Sequence, residues 1–238
     1  MNDDKQARSE EFREQMIAKW RNDLKRIQND VITLHGSRKI YKRLFEIMDA
    51  NPRLHKANEL YEWLHRSYVV YASMAIRRVL KPHKGSLSLG GLVHNMIDHE
   101  HVLTKEWYLS QCEVTADWDS REDYLDWFDA NEDFDKLVGA GKDTVDGQDL
   151  QRRLDEARLL SCRVLEYADK LVAHTDRKPP DTLPTYPGLD SAIDAVGDLF
   201  KHLDTLINQG SFISLEPIGV SPWERLFEEP WIVRPERS

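Results

Sequence analysis

Apolar residues recur along most of this chain at alternating steps of three and four, the spacing of helical faces, and the pattern predicts an all-α protein. From about Ser9 to His35, Phe12, Met16, Trp20, Leu24, Ile27, Val31 and Leu34 define a long first helix that Gly36 should end. A second helix follows from Ser37 to Ala50 and stops at Asn51-Pro52, since the residue before proline disfavours helical geometry. The third, Lys56 to Leu80, is the most apolar, and its SYVVYASMAI section reads as buried nearly all round. Ser86 or Ser88 then caps a helix through Leu89, Leu92, Val93, Met96 and Ile97 that continues or restarts toward Trp107. Ser120 caps a short one from Arg121 to Phe128.

The stretch Leu150 to Arg177 is predicted as one continuous helix that buries Leu150, Leu154, Ala157, Ser161, Val164, Ala168 and Leu171. A second line, Leu160, Val164, Tyr167, Leu171 and His174, puts the histidine at the margin of that buried face, just before the Pro-rich loop Lys178–Pro187. Leu189, Ile193, Val196, Phe200, Leu203 and Ile207 trace a last helix closed by Gly210. The expected architecture is a helical bundle of about six to eight helices in one domain, residues 1–210, with 56–80 and 150–174 at its centre. Residues 211–238 form an irregular C-terminal arm, too apolar at Phe212, Ile213, Trp223, Phe227 and Trp231 for a free linker, which either lies across the bundle or docks a partner.

Composition narrows the class. The net charge of −9 is carried by one segment, Glu113 to Asp135, where ten acids face Arg121 alone. Elsewhere charge balances, so a basic surface for nucleic acid is allowed, and Gln151–Lys178 is locally positive with seven Lys and Arg against five acids. The acidic stretch itself reads as an exposed loop, with a mimic of nucleic acid or a dock for a basic partner as the alternatives. Two cysteines, Cys112 and Cys162, have no metal-ligand spacing and point to a reducing compartment. No signal core opens the sequence, and no run of roughly 18 uncharged apolar residues occurs, so a cytoplasmic protein with no membrane partner is expected.

Two constellations could carry chemistry. Asp169-Lys170-Leu-Val-Ala-His174-Thr-Asp176-Arg177 offers a histidine with a carboxylate two residues on to orient its ring and an arginine three residues on to meet a phosphate. Its plainer reading is a packing or capping histidine. His94, Asp98 and His101, at steps of four and three, align three metal-type ligands on one helical face. A metal there needs a fourth group that the sequence does not provide; a solvated face is the simpler reading, and no cofactor is expected.

Ile76-Arg77-Arg78 near a helix end, Ser86-Leu-Ser-Leu-Gly-Gly-Leu-Val93, and Ala168-Asp-Lys-Leu-Val-Ala-His-Thr-Asp176, in that order, resemble the HEPN superfamily in its abortive-infection, AbiU-like branch. The resemblance implies a HEPN-like bundle, frequent homodimers, and a place in phage defence or toxin–antitoxin pairs. In active members an arginine and a histidine four to six residues apart cut RNA without metal. This chain departs from that motif: Ala168, Asp169 and Lys170 stand where the arginine belongs, and lysine lacks the planar fork of guanidinium. Arg163 shares the face of His174 but sits eleven residues away, about 16 Å along a helix. Arg177, or Arg77 and Arg78 brought in from the third helix or a second subunit, could supply the cation.

Two classes therefore stand side by side. One is a metal-independent endoribonuclease with His174 as general acid or base, Asp169, Lys170, Asp176 and Arg177 around it, and Arg77, Arg78 and Arg163 as phosphate contacts. The other is a non-catalytic HEPN-like module that binds RNA, a nucleotide, an antitoxin or another defence-system partner. A guanidinium within reach of His174 discriminates them.

Overall fold

The computed structural model describes residues 2–51, 59–83, 85–111, 121–173, 178, 180, 182–210, 212–217 and 223–228, with side chains from residue 7 onward and, between 121 and 138, from 129. Its order is α1 (Asn2–Asp49), α2 (Glu59–Leu80), α3 (Leu89–Asp98), α4 (Lys105–Ser110), α5 (Arg121–Val138), α6 (Gly147–Leu160), α7 (Cys162–Tyr167) and α8 (Tyr186–Asn208). A π-turn, Ala168–Ala173, extends α7. No β-strand occurs among the described residues, and the protein is an all-α bundle.

α1 runs unbroken through Gly36, so the two helices expected on either side of that glycine are one. Ser37 does not cap a new start: its hydroxyl donates back to the Thr33 carbonyl at 2.8 Å, which leaves the helical ladder intact. Gly36 serves packing instead. A Cβ there would lie 2.9 Å from Cγ of Pro217, so the missing side chain is what lets the C-terminal segment lie on α1. Leu215 is buried in the core beside it, Phe212 sits 5.5 Å from the Phe200 ring, and Glu224 takes two 3.1 Å hydrogen bonds from Arg43.

The innermost helix is α8, which takes the central place expected for the 56–80 and 150–174 segments. Leu189, Ile193, Val196, Phe200, Leu203 and Ile207 are all buried, as are Ala192, Leu199 and Leu206 between them, so the helix is enclosed on more than one side. Thr185 caps its start by accepting from the Gly188 amide at 3.2 Å. The left-handed residue at its end is Gln209, with φ 54°, rather than the expected Gly210. Gly210 is needed for another reason: a Cβ would lie 2.6 Å from the Asp204 carboxylate.

One buried histidine, His35, and one half-buried histidine, His202, make the bundle sensitive to acid. His35 is wedged against Gly197, where a Cβ would meet its ring at 2.7 Å, and burial followed by the Arg38 charge pushes its pKa down from 6.5 to about 4. Burial, then Arg153, does the same to His202, again to about 4. Both folded-state values lie below the unfolded one, so their contribution to stability is full above pH 6.5 and is lost as pH falls toward 4. Urea denaturation should therefore show a drop of roughly 2 kcal/mol per histidine between pH 7.5 and pH 5. A His35→Gln variant should flatten part of that slope.

α2 and α3 meet end to side through the glycine pair of the SLSLGGLV stretch. Ser88, not Ser86, caps α3, accepting from the Gly91 amide at 3.0 Å. A Cβ on Gly90 would overlap the Leu80 carbonyl oxygen, so this glycine is what lets α3 close onto the end of α2. Gly90→Val should cost about 2–3 kcal/mol in a thermal melt, because backbone rather than a movable side chain stands in the way.

α5 extends ten residues beyond the predicted Arg121–Phe128 helix and ends before Gly139, which has φ 110°. Phe134 is buried 5.3 Å from the Tyr108 ring, and Asp135 accepts from Lys105 at 2.6 Å, so this half of the acidic segment is structural rather than an exposed loop. The other half and its expected Ser120 cap lie outside the described residues.

Candidate functional site

The expected continuous helix from Leu150 to Arg177 is three pieces. Ser161, buried with φ −96° and ψ 1°, interrupts it after Leu160; α7 follows, and at Ala168 the turn widens to π geometry. Leu150, Leu154, Ala157, Ser161, Val164 and Ala168 are buried as the pattern predicts, but Leu171 is 41% exposed. Leu160, on the second predicted line, is exposed as well. A π-turn holds more than four residues per turn, so a residue three positions past Ala168 no longer falls on the buried line. Such turns are frequent where a helix carries function.

What the π-turn presents is Asp169. Its carboxylate accepts from Arg77 Nε at 2.6 Å and from the ammonium of Lys81, both at the C-terminal end of α2. Burial alone would raise the Asp169 pKa, but the two hydrogen bonds and the two positive charges outweigh it and hold the group below the usual carboxylate value. The group carries one net positive charge: two cations against one carboxylate. It borders a groove of about 530 Å³ lined by Val70, Tyr71, Met74, Arg77, Lys81 and His83.

The other candidates are dispersed. Arg78 lines the same groove, but its guanidinium pairs with Asp30 of α1 at 2.5 Å, at the surface, rather than with Asp169. Lys170 donates to Glu166 at 2.6 Å, an i,i+4 pair along its own helix. Arg163 is exposed on α7 with no ion pair among the described residues. His174, Asp176 and Arg177 lie outside the described residues; the π-turn stops at Ala173, one position before the histidine.

The His94–Asp98–His101 alignment fails geometrically. α3 ends at Asp98, His99 breaks the helix with φ −132° and ψ 38°, and His101 falls in the following 3₁₀ turn, where its ring stacks on Phe12 at 6.4 Å. No cluster able to hold a metal ion occurs among the described residues. Neighbouring Glu100 has a structural task, accepting the Gly147 amide at 3.0 Å at the start of α6.

Two features were missed in the sequence. Lys81 reads as part of a loop before Pro82, and its only signal is that it lies four residues beyond Arg77 on the same face. The second is a cluster of rings between α1, α2 and the start of α8. Tyr41 and Tyr186 both place a hydroxyl 2.5 Å from Nδ1 of His65, while Tyr41 stacks on Tyr68 at 3.8 Å and Phe45 lies 4.0 Å from His65. One lone pair on Nδ1 takes one proton, so the second hydroxyl is bonded to the first; burial and then that Tyr186 bond push the Tyr41 pKa up. Burial lowers the His65 pKa. The helical spacing of Tyr41 with Phe45, and of Tyr61, His65 and Tyr68, was the legible trace.

The family model HEPN_AbiU2, described as AbiU2, matches residues 17–221. The chain belongs to the AbiU2 family of HEPN proteins. The match spans α1 from Ile17, the Arg77–Asp169 pair, the histidine segment and all of α8, and it makes this AbiU2 protein a HEPN module of the abortive-infection type. No curated protein and no solved structure matches the chain. Among the described residues, no helix of this AbiU2 protein is long and apolar enough to cross a membrane.

Proposed function

We propose that this AbiU2 protein is a metal-independent endoribonuclease of a phage-defence or toxin–antitoxin system, acting on cytoplasmic RNA and held in check by an antitoxin or another defence partner. The observation that supports it is the Arg77–Asp169 pair. Asp169 occupies the position, five residues before His174, where the family motif carries arginine, and α2 delivers a guanidinium to that carboxylate at 2.6 Å. The cation that the motif lacks in sequence is thereby supplied from another helix. In the reaction the RNA 2′-hydroxyl attacks phosphorus, His174 takes its proton and returns one to the leaving 5′-oxygen, and Arg77 with Lys81 stabilises the charge on the phosphate. Asp176 orients the His174 ring, and Arg177 is a further phosphate contact.

Asp169 also favours the second reading, a module that binds RNA, a nucleotide or a partner without cutting. Its carboxylate neutralises one of the two cations, and a phosphate has to compete with it for Arg77. Incubating purified protein with RNA, with and without EDTA, separates the two. The endoribonuclease reading expects cleavage that survives EDTA and falls at least about a hundredfold in His174→Ala, the scale of a lost general acid or base. No cleavage by the wild type, alone or with its candidate partners, would leave the binding module.

A further inference from the structure

The ring cluster around His65 borders a second cavity, of about 470 Å³, that the proposed chemistry leaves unused. Its size is that of small-molecule sites. One side of it is α2, which presents Glu62, His65, Arg66 and Val69 at i, i+3, i+4 and i+7, a single helical face. At about 100° per residue that face is turned roughly 120° from the Arg77 groove, and the two share no lining residue. The rest of the lining is largely apolar, with Leu183, Pro184 and Pro187, while α7 and α8 each supply a ring, Tyr167 and Tyr186.

Three polar groups on the α2 face are open to a ligand. Glu62 and Arg66 lie one helical turn apart and exposed, yet they pair neither with each other nor with any other described residue. Nδ1 of His65 is taken by the tyrosine hydroxyls at 2.5 Å, and burial lowers the pKa of the ring, so the neutral imidazole carries its proton on Nε2. That N–H has no acceptor among the described residues. A carboxylate, a guanidinium fork and a single N–H beside aromatic rings suit a flat ligand with both donors and acceptors along its edge. A quaternary ammonium would have Arg66 against it.

Guanine is the base whose edge matches. Its O6 and N7 accept from an arginine fork, and its N1–H and N2–H₂ donate to a carboxylate. Adenine sets a donor where guanine has O6, and pyrimidines have no N7. We propose that this cavity binds one guanine, with O6 and N7 toward Arg66, N1–H and N2–H₂ toward Glu62, and the ring stacked against Tyr167 and Tyr186. O6 has a second lone pair for His65 Nε2–H. The base belongs to a free guanine nucleotide or to an RNA strand. This inference rests on the reading of the chain as a protein that takes RNA or a nucleotide, and it holds whether or not RNA is cut.

Isothermal titration calorimetry of the full chain tests it, with GMP against AMP, CMP and UMP, and with two 2′-O-methyl RNA octamers, which lack the attacking hydroxyl and stay intact. One octamer contains a single guanine, the other adenine and uracil only. The guanine ligand should bind at least about tenfold tighter than its guanine-free counterparts, the discrimination expected of a bidentate base contact. Glu62→Gln should erase that preference, because an amide sets its own donor against those of guanine. Glu59→Gln, exposed one turn earlier and outside the cavity, should keep it, with circular dichroism unchanged in both variants. A preference already present with GMP assigns the cavity to a free nucleotide; one confined to the octamers assigns it to a strand. Absence of any guanine preference overturns the proposal, and so does a preference that survives Glu62→Gln. Octamers that bind without regard to guanine but lose affinity in Arg77→Ala would overturn the guanine cavity and leave the phosphate site of the ribonuclease reading standing.

Discussion

Val164→Asp leaves no folded protein, while Leu171→Asp, seven residues on and on the same predicted face, changes stability by no more than about 1 kcal/mol. Val164 is buried in α7, in the main core with Leu154, Ala157 and Leu165 around the same helix pair. An unpaired carboxylate there costs several kcal/mol against a total stability of roughly 5–15 kcal/mol. Leu171 stands 41% exposed on the π-turn, where a carboxylate stays hydrated. Circular dichroism and thermal melts of the two variants read the difference directly. An unfolded Leu171→Asp would mean that the helix continues in α geometry past Ala168 and that the π-turn is absent.

That contrast marks how far the sequence could be read. Periodicity located the helices, the all-α class and the buried line Leu150 to Ala168, because burial acts on every turn of an amphipathic helix and leaves a repeating trace. It failed where one residue decides. Gly36 looked like a stop because glycine commonly ends helices, yet its role is to admit Pro217, a contact made 181 residues away in the chain and invisible to any local window. The π-turn has no compositional signature, and one widened turn was enough to move Leu171 from the core to the surface.

The site was legible in its parts and not in its assembly. Arg77, Asp169 and the histidine segment were all named from local patterns, and so was the family, since its motifs keep their order along the chain. Which arginine meets which carboxylate was not, because adjacent Arg77 and Arg78 differ only in the 100° that separates neighbours on a helix. That angle sends one to Asp169 and the other to Asp30. The His65 ring cluster needed three helices to be placed before it existed at all.

The angle also yields the sharpest test of the proposed chemistry. If Arg77 supplies the phosphate-stabilising charge, Arg77→Ala lowers RNA cleavage by about a hundredfold or more, as loss of a transition-state donor does, while Arg78→Ala and Arg163→Ala stay within a few-fold of wild type. The Arg77–Asp169 pair is about one-third exposed on each side, so breaking it costs about 1 kcal/mol at most and the variant remains folded. Arg77→Lys should recover little, because an ammonium cannot hold Asp169 and a phosphate oxygen in one plane. Asp169→Asn keeps an acceptor for Arg77 Nε but removes the competing charge, so it should tighten RNA binding without abolishing cleavage. Single-turnover rates and RNA affinities measured on the same five variants separate these effects. Cleavage at the wild-type rate by Arg77→Ala would remove α2 from the reaction and return the search for a cation to Arg177.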